Sequence, residues 1–268
     1  MNAPTIIEER TVPRPGGPYL SHSRIAKYLH CPEQYRLYYV ENLMPKVQDA
    51  SLAFGKVIHA ALEALFRQGQ DPVACFRKRW TGLQNVTLAY KERESWEKLL
   101  ATGTALIEKF MRDELPRIGM VRAVERSFTL TITSLGVPLV GVIDLVADVD
   151  GEPTVIDFKT AAASYQPHEA ALSDQLTAYQ LAEPEVTQTA FCVFVKTKEP
   201  KIEWHAGRRH PIDLTEYLAK VKHLASEIAA GHFYKRPGKW CSYCDYLPVC
   251  LGDEQKIQDT LVQVAPRQ

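Results

Sequence analysis

GVIDLVADVDGEPTVIDFK, residues 141–159, is the stretch from which the fold is read. Apolar and β-branched residues run up to Asp150-Gly151 and away from it, and Asp-Gly is a favoured two-residue hairpin turn because both positions tolerate positive φ. That turn sets Val149 opposite Glu152, and counting back sets Asp144 opposite Asp157. Opposed residues of an antiparallel pair point to the same side with Cβ atoms about 4.5–5.5 Å apart. Lys159, two residues beyond Asp157, shares that side. Two carboxylates and a lysine therefore converge. Opposed like charges destabilise a sheet unless something neutralises them, and a divalent cation with hard oxygen ligands does so. Such a cation polarises a phosphoryl oxygen and lowers the pKa of a bound water, while a lysine orients or deprotonates that water and stabilises developing charge. The arrangement suits phosphodiester hydrolysis, although a D-x-K tripeptide taken by itself is more simply a solvated hairpin.

Outward from the hairpin, the β-branched and aromatic runs from Val121, bounded by Gly136 and Asp150-Gly151, predict three strands in hairpin order. Residues 169–182 predict a helix, and the alternation of Phe191, Val193 and Val195 predicts a further strand over 189–195. The order is β-β-β-α-β. Upstream, Ser21 and Ser23 are good N-caps for a short helix leading to Cys31, and Pro32 opens a second helical stretch. Phe54, Ile58, Ala61, Leu62 and Leu65 form the stripe of an amphipathic helix, with further helix to about Leu115. Leu214, Tyr217, Leu218, Val221, Leu224 and Ile228 form another such stripe.

Several short motifs share one resemblance. The G-x-I-D strand followed by V-I-D-F-K-T resembles the active-site hairpin of RecB-like PD-(D/E)xK nucleases. Gly55-Lys56-Val57-Ile58-His59 resembles that family's G-x-x-x-H helix, and Gln175 with Tyr179 its Q-x-x-x-Y helix. The resemblance implies an α/β fold, a restriction-endonuclease-like αβββαβ core with a mixed sheet flanked by helices. It implies that Asp144, Asp157, the backbone carbonyl of Phe158 and His59 hold Mg2+ or Mn2+, that Asp144, Asp157 and Lys159 are catalytic, and that Gln175 and Tyr179 serve the site or the DNA backbone. Glu125 resembles an auxiliary acid of some relatives, with its register left open by the turn near Ser134 to Gly136.

Cys241, Cys244 and Cys250 form C-x2-C-x5-C, and Cys31 stands some two hundred residues earlier. In a chain without an export signal, six cysteines point to metal binding or burial rather than disulfides. Four thiolates can hold either tetrahedral zinc or a [4Fe-4S] cluster. The arrangement is similar to the iron–sulfur RecB-like nucleases, including the AddB nuclease domain and CRISPR-adaptation nucleases, which implies a cluster stapling the ends of the fold. Cys75 and Cys192 read as buried small hydrophobes.

Thirty-two basic and thirty-two acidic residues cancel, so attraction to nucleic acid must come from local clusters. Arg77-Lys78-Arg79, Arg208-Arg209-His210 and Lys235-Arg236 with Lys239 are the candidates for phosphate contacts. No stretch approaches the ~20 apolar residues of a membrane helix, and residues 1–18 read as an irregular arm rather than a signal peptide. The expectation is a cytoplasmic protein with one nuclease domain over 19–268, a helical insert at about 70–118 and an iron–sulfur segment at 231–252. The expected activity is metal-dependent DNA cleavage, as an exonuclease in recombination, repair or replication, with DNA and a helicase or recombination protein as partners. The alternative is a DNA-end-binding or partner-docking iron–sulfur protein with little chemistry.

Overall fold

The computed structural model describes residues 17–92, 94–132 and 136–265. The residue 1–16 part of the expected arm, and most of the turn expected near Ser134, lie outside these. The chain divides into two compact units, one of residues 49–128 and 141–217, the other of residues 1–48, 129–140 and 218–268.

The first unit is organised on a sheet with strand order β1-β2-β3-β4-β5: β1 (Ile118–Leu130), β2 (Leu139–Val149), β3 (Glu152–Ala161), β4 (Gln188–Val195) and β5 (Lys201–Gly207). β2 and β3 are antiparallel, β3 and β4 parallel, β4 and β5 antiparallel, so the sheet is mixed. Asp150 and Gly151 both take positive φ, 51° and 87°, as a type I′ turn requires. The register that follows runs from Val149↔Glu152 to Leu145↔Ile156, which brings Asp144 and Asp157 side by side at the end of the ladder. Arg117 pins the turn, its NH2 2.7 Å from Asp150 Oδ2.

Seven helices matter to the argument: α1 (His22–His30), α2 (Ala50–Gln68), α3 (Pro72–Thr81), α4 (Trp96–Lys109), α5 (Pro167–Ala171), α6 (Asp174–Ala182) and α7 (Pro211–Ala229). Asp49 caps α2 by accepting from the amides of Ser51 and Leu52, and Gly69 ends it with left-handed backbone. Its apolar stripe buries Phe54, Ile58 and Leu62 together with Phe76, Trp80, Leu106, Ile107 and Phe110. On one side of the sheet, Phe158 stacks on Phe66 (6.1 Å between centroids) and meets Phe110 and Phe194 edge-on. Elsewhere Val155, Leu176, Tyr179, Phe191, Val193 and Val195 share a cluster with α5 and α6.

Two expectations are corrected and one further strand is found. The helix expected over 169–182 is two, because Ser173 caps a fresh helix by accepting from the Leu176 amide. The helix expected to continue to Leu115 is interrupted between α3 and α4, where Ser95 starts α4 as its N-cap. The strand β5 was not anticipated: Lys201, Glu203 and His205 alternate with Ile202, Trp204 and Ala206, and a charged edge strand carries a weak apolar signal.

In the second unit, Ser21 caps α1 by accepting from the Arg24 amide. Tyr28 and Tyr35 pack edge-on at 5.6 Å, Tyr35 stacks on Phe233 at 5.9 Å, and Leu37, Tyr246 and Leu261 form a further small core. Leu43–Pro45 pairs antiparallel with Leu261–Gln263. Among the described residues no helix is long and apolar enough to cross a membrane.

Candidate active site

Asp144 ends the β2 ladder opposite β3, which carries Asp157 and Lys159. Both acids are almost wholly buried, with side chains 1% and 3% exposed. The Phe158 amide donates to Asp144 Oδ2 at 2.8 Å, and His59 Nδ1 lies 3.2 Å from the same oxygen. His59 reaches it because α2 runs close to β3: a Cβ placed on Gly55 would come within 3.0 Å of Thr160 Oγ1. One helical turn beyond that approach is His59.

From α6, Gln175 and Tyr179, one turn apart, complete the cluster. Gln175 Nε2 donates to Asp157 Oδ1 at 2.7 Å and to the Tyr179 hydroxyl at 2.8 Å, while Gln175 Oε1 accepts from Lys159 Nζ at 2.7 Å. The Tyr179 hydroxyl lies 2.7 Å from the Val142 carbonyl and 3.1 Å from Asp157 Oδ1, sharing one proton between two acceptors. The hydrogen bonds thus fix the lysine and one acid through a single neutral amide.

Burial, and then the Asp144 carboxylate, push Asp157 above the ordinary range against the pull of Lys159. Burial lowers the Lys159 ammonium, but Asp157 and Asp144 more than offset this and hold it above its usual value. Burial, followed by the two acids, raises the Tyr179 phenol strongly. Asp157 Oδ2 lies 2.6 Å from Lys159 Nζ, an ion pair that offsets part of the cost of burying the carboxylate.

Among the described residues no three His, Cys, Asp or Glu side chains stand in the arrangement of a preformed metal site. The donors around Asp157 nevertheless suit a hard divalent cation. Two carboxylates are buried side by side and an imidazole is adjacent; an oxygen-rich site with one nitrogen accepts Mg2+ or Mn2+.

The structure thus brings Asp144, Asp157, Lys159, His59, Gln175 and Tyr179 into one place. Glu125 is half-buried on β1 with left-handed backbone, φ 49°, an uncommon conformation for a residue with a side chain. The four cysteines of the expected cluster all lie in the second unit and are free thiols. Burial first, with Cys31 among the lesser causes, raises the thiols of Cys244 and Cys250.

Several residues of the basic clusters have partners within the protein. Arg77 Nε donates to Thr104 Oγ1, and Arg208 pairs with Glu152 at 2.6 Å. Arg209 donates to Thr177 Oγ1 and to the Ala170 carbonyl, joining α5 and α6. Lys235 and Arg236 donate to the carbonyls of Cys250 and Leu29.

Sequence reasoning missed the aromatic surroundings of the lysine. Lys159 Nζ lies 5.3 Å from the centroid of Phe191, and Tyr165 packs edge-on against the same ring at 5.8 Å. Nothing local to Tyr165 signals this, because the parallel register of β3 on β4 is set by tertiary packing.

A search of curated proteins finds no match. Among solved structures, one from Eubacterium rectale described as a candidate exonuclease aligns with a TM-score of 0.55 at 14% identity, over 85% of this chain and 87% of that one. It speaks for the fold. A second, described as SSO0001, covers 86% of this chain and 93% of its own at 12% identity, with a TM-score of 0.37, and carries no argument. Residues 19–251, the paired acids, lysine, histidine and glutamine among them, match the PD-(D/E)XK nuclease superfamily, and the chain belongs to that superfamily.

Proposed function

We propose that the chain is a RecB-like, metal-dependent deoxyribonuclease that works as an exonuclease in DNA recombination, repair or replication and carries a four-cysteine iron–sulfur cluster. One observation carries the reading: Asp144 and Asp157 are buried side by side, with Lys159 Nζ 2.6 Å from Asp157 Oδ2 and His59 Nδ1 3.2 Å from Asp144 Oδ2. Burying two like charges is costly and gains a structural hairpin nothing, whereas a cation between them makes the pair favourable. Superfamily members use divalent metals.

Asp144, Asp157, the Phe158 carbonyl and His59 are the proposed ligands. When bound, Mg2+ or Mn2+ would activate water and neutralise charge at the scissile phosphate. Lys159 donates toward the attacking water and the phosphate oxygens, where negative charge develops. Gln175 holds Lys159 and Asp157 at a fixed separation, and Tyr179 supports that amide from below while tying Asp157 to β2. Such fixed donors and acceptors lower the barrier by being arranged before the reaction begins.

In the same reading the nuclease domain spans residues 19–268, and Cys31, Cys241, Cys244 and Cys250 hold a [4Fe-4S] cluster in its 231–252 segment. Support comes from four free thiols within one compact unit, three of them in the C-x2-C-x5-C spacing. Donors also face two of the sulfurs: the Gly238 amide is 3.4 Å from Cys241 Sγ, and Gln34 Nε2 is 3.7 Å from Cys244 Sγ. The role is structural, a cross-link between segments far apart in sequence.

The test is cleavage of end-labelled single- and double-stranded DNA by anaerobically purified protein with Mn2+, with Mg2+ and with EDTA, beside Asp144→Ala. Metal-dependent cleavage lost in the variant supports the nuclease; DNA binding without cleavage overturns it in favour of an end-binding scaffold. Iron analysis of the wild type and of Cys244→Ala tests the cluster, which zinc in place of iron would refute.

A further inference from the structure

The active-site face of the sheet continues beyond the acids. Asp157 is in register with Phe191 on β4, and Phe191 with His205 on β5, so these three side chains stand in one row across neighbouring strands. Lys159, Val193 and Glu203 form the next row on the same face. At about 4.8 Å between strands, Asp157 and His205 are roughly 10 Å apart, comparable to the rise of about three stacked nucleotides.

Tyr165, on the segment between β3 and α5, lies over this row. Its ring meets Phe191 edge-on at 5.8 Å and His205 at 6.0 Å with a tilt of 41°. Lys159 Nζ approaches the same Phe191 ring at 5.3 Å, so the lysine and the tyrosine share one aromatic neighbour. The Tyr165 amide donates to Glu203 Oε2 at 3.1 Å, and that carboxylate is itself held by Lys201 Nζ at 2.6 Å and His205 Nε2 at 3.2 Å. Residues on either side of Tyr165 are exposed while its ring is half-buried. The carboxylate holds the backbone at Tyr165, and Phe191 and His205 hold its ring, so a half-buried aromatic side chain is fixed in place on an exposed segment.

We propose that Tyr165, with His205 beside it, is a substrate-contacting residue that stacks on the base of a nucleotide next to the scissile phosphate. The inference rests on the nuclease reading and deepens it by naming the form of the substrate. Aromatic side chains stack on any base because every base has a π-face. In duplex DNA those faces are taken by neighbouring bases, and exposing one costs unstacking energy. A ring fixed beside Lys159 therefore favours a strand whose nucleotide at the cut is unpaired.

The test uses the full protein and two variants, Tyr165→Leu, which keeps an apolar contact with Phe191, and Tyr165→Phe, which keeps the ring. Binding of a single-stranded oligonucleotide containing 2-aminopurine is followed by its fluorescence in EDTA, where stacking quenches the base and no cleavage is needed. Melting temperatures confirm that both variants fold. Wild type and Tyr165→Phe should quench, and Tyr165→Leu should not. In cleavage assays Tyr165→Leu should raise KM for single strands by roughly tenfold, the scale of one lost base stack, with kcat less affected. Unchanged quenching in Tyr165→Leu overturns the inference while leaving the nuclease reading intact. Quenching that depends on Tyr165 in a protein that never cleaves DNA overturns the nuclease reading and keeps the stacking contact.

Discussion

Gln175 donates its side-chain amide to Asp157, Nε2 to Oδ1 at 2.7 Å, and with its other end accepts from Lys159 at 2.7 Å. The amide is a spacer between two charged groups rather than a reactant. Gln175→Leu should leave the fold intact and lower cleavage by about 10- to 100-fold, the usual cost of losing a partner that orients a ligand. Gln175→Glu should also melt below the wild type in metal-free buffer, since it sets a third carboxylate against Asp157. Turnover and the metal concentration for half-maximal activity are the measurements; unchanged values for both variants would remove Gln175 from the site.

Asp157→Ala should abolish cleavage without unfolding the protein. In metal-free buffer it relieves the repulsion with Asp144 but leaves the Lys159 ammonium, 2.6 Å from Asp157 Oδ2, without that partner, so it should melt below the wild type. Wild type should gain melting temperature on adding Mn2+, by about 2.7 kcal/mol of stability at one hundred times Kd. The variant should not. A variant that is still stabilised by Mn2+ would place the cation elsewhere.

Gly55→Val tests the approach of α2 to β3. The first added carbon meets Thr160 Oγ1 at 3.0 Å, and valine adds two more carbons to it with little χ1 freedom to turn them away. The helix must move outward and carry His59 away from Asp144. Activity should fall by an order of magnitude or more while secondary structure by circular dichroism is retained. Gly55→Ala, with better helix propensity and a contact that a slight shift can absorb, should be nearly neutral in stability.

Glu203 supplies a pH dependence. Burial raises its carboxyl, but hydrogen bonds from Lys201, Ser164, His205 and the Tyr165 amide outweigh this and hold it down at about 2, against 4.5 for an ordinary glutamate. The contribution is therefore fully present above about pH 4.5 and lost as pH falls through about 2. Compared by denaturant unfolding, wild type should exceed Glu203→Gln most at neutral pH, and the gap should close between pH 4.5 and 2. A gap that stays constant with pH would show that the ionised carboxylate contributes nothing.

What could be read from sequence was what is local. Asp150-Gly151 dictates its own turn, the turn dictates the register, and the register sets Asp144 beside Asp157. Ser21 and the stripe of α2 are equally short-range signals. The break before Ser173 was hidden because a serine within an apolar-periodic run reads as a tolerated helix residue as readily as a cap. β5 was hidden by the charges of Lys201, Glu203 and His205. The neighbours of Lys159 were out of reach for a different reason: Phe191, His205 and Tyr165 arrive through a parallel crossover and an edge pairing, whose alignment is decided by side chains packing across the sheet. His59 and Gln175 were found through their short motifs, but their bonds to Asp144 and Lys159 depend on how closely two helices approach the strands.

The β2–β3 hairpin has a consequence for the order in which the molecule assembles. Its two acids are thirteen residues apart and are joined by a tight turn, among the quickest contacts a chain can close, on the scale of microseconds. His59 and Gln175, which relieve and orient that pair, lie on helices that must first find the sheet, and the parallel β3–β4 pairing is slower still. The nascent hairpin therefore forms with Lys159 as its only built-in counter-charge for the two acids, before the helices arrive. On the proposed reading, a divalent cation present from the start would add to that counter-charge and should speed refolding.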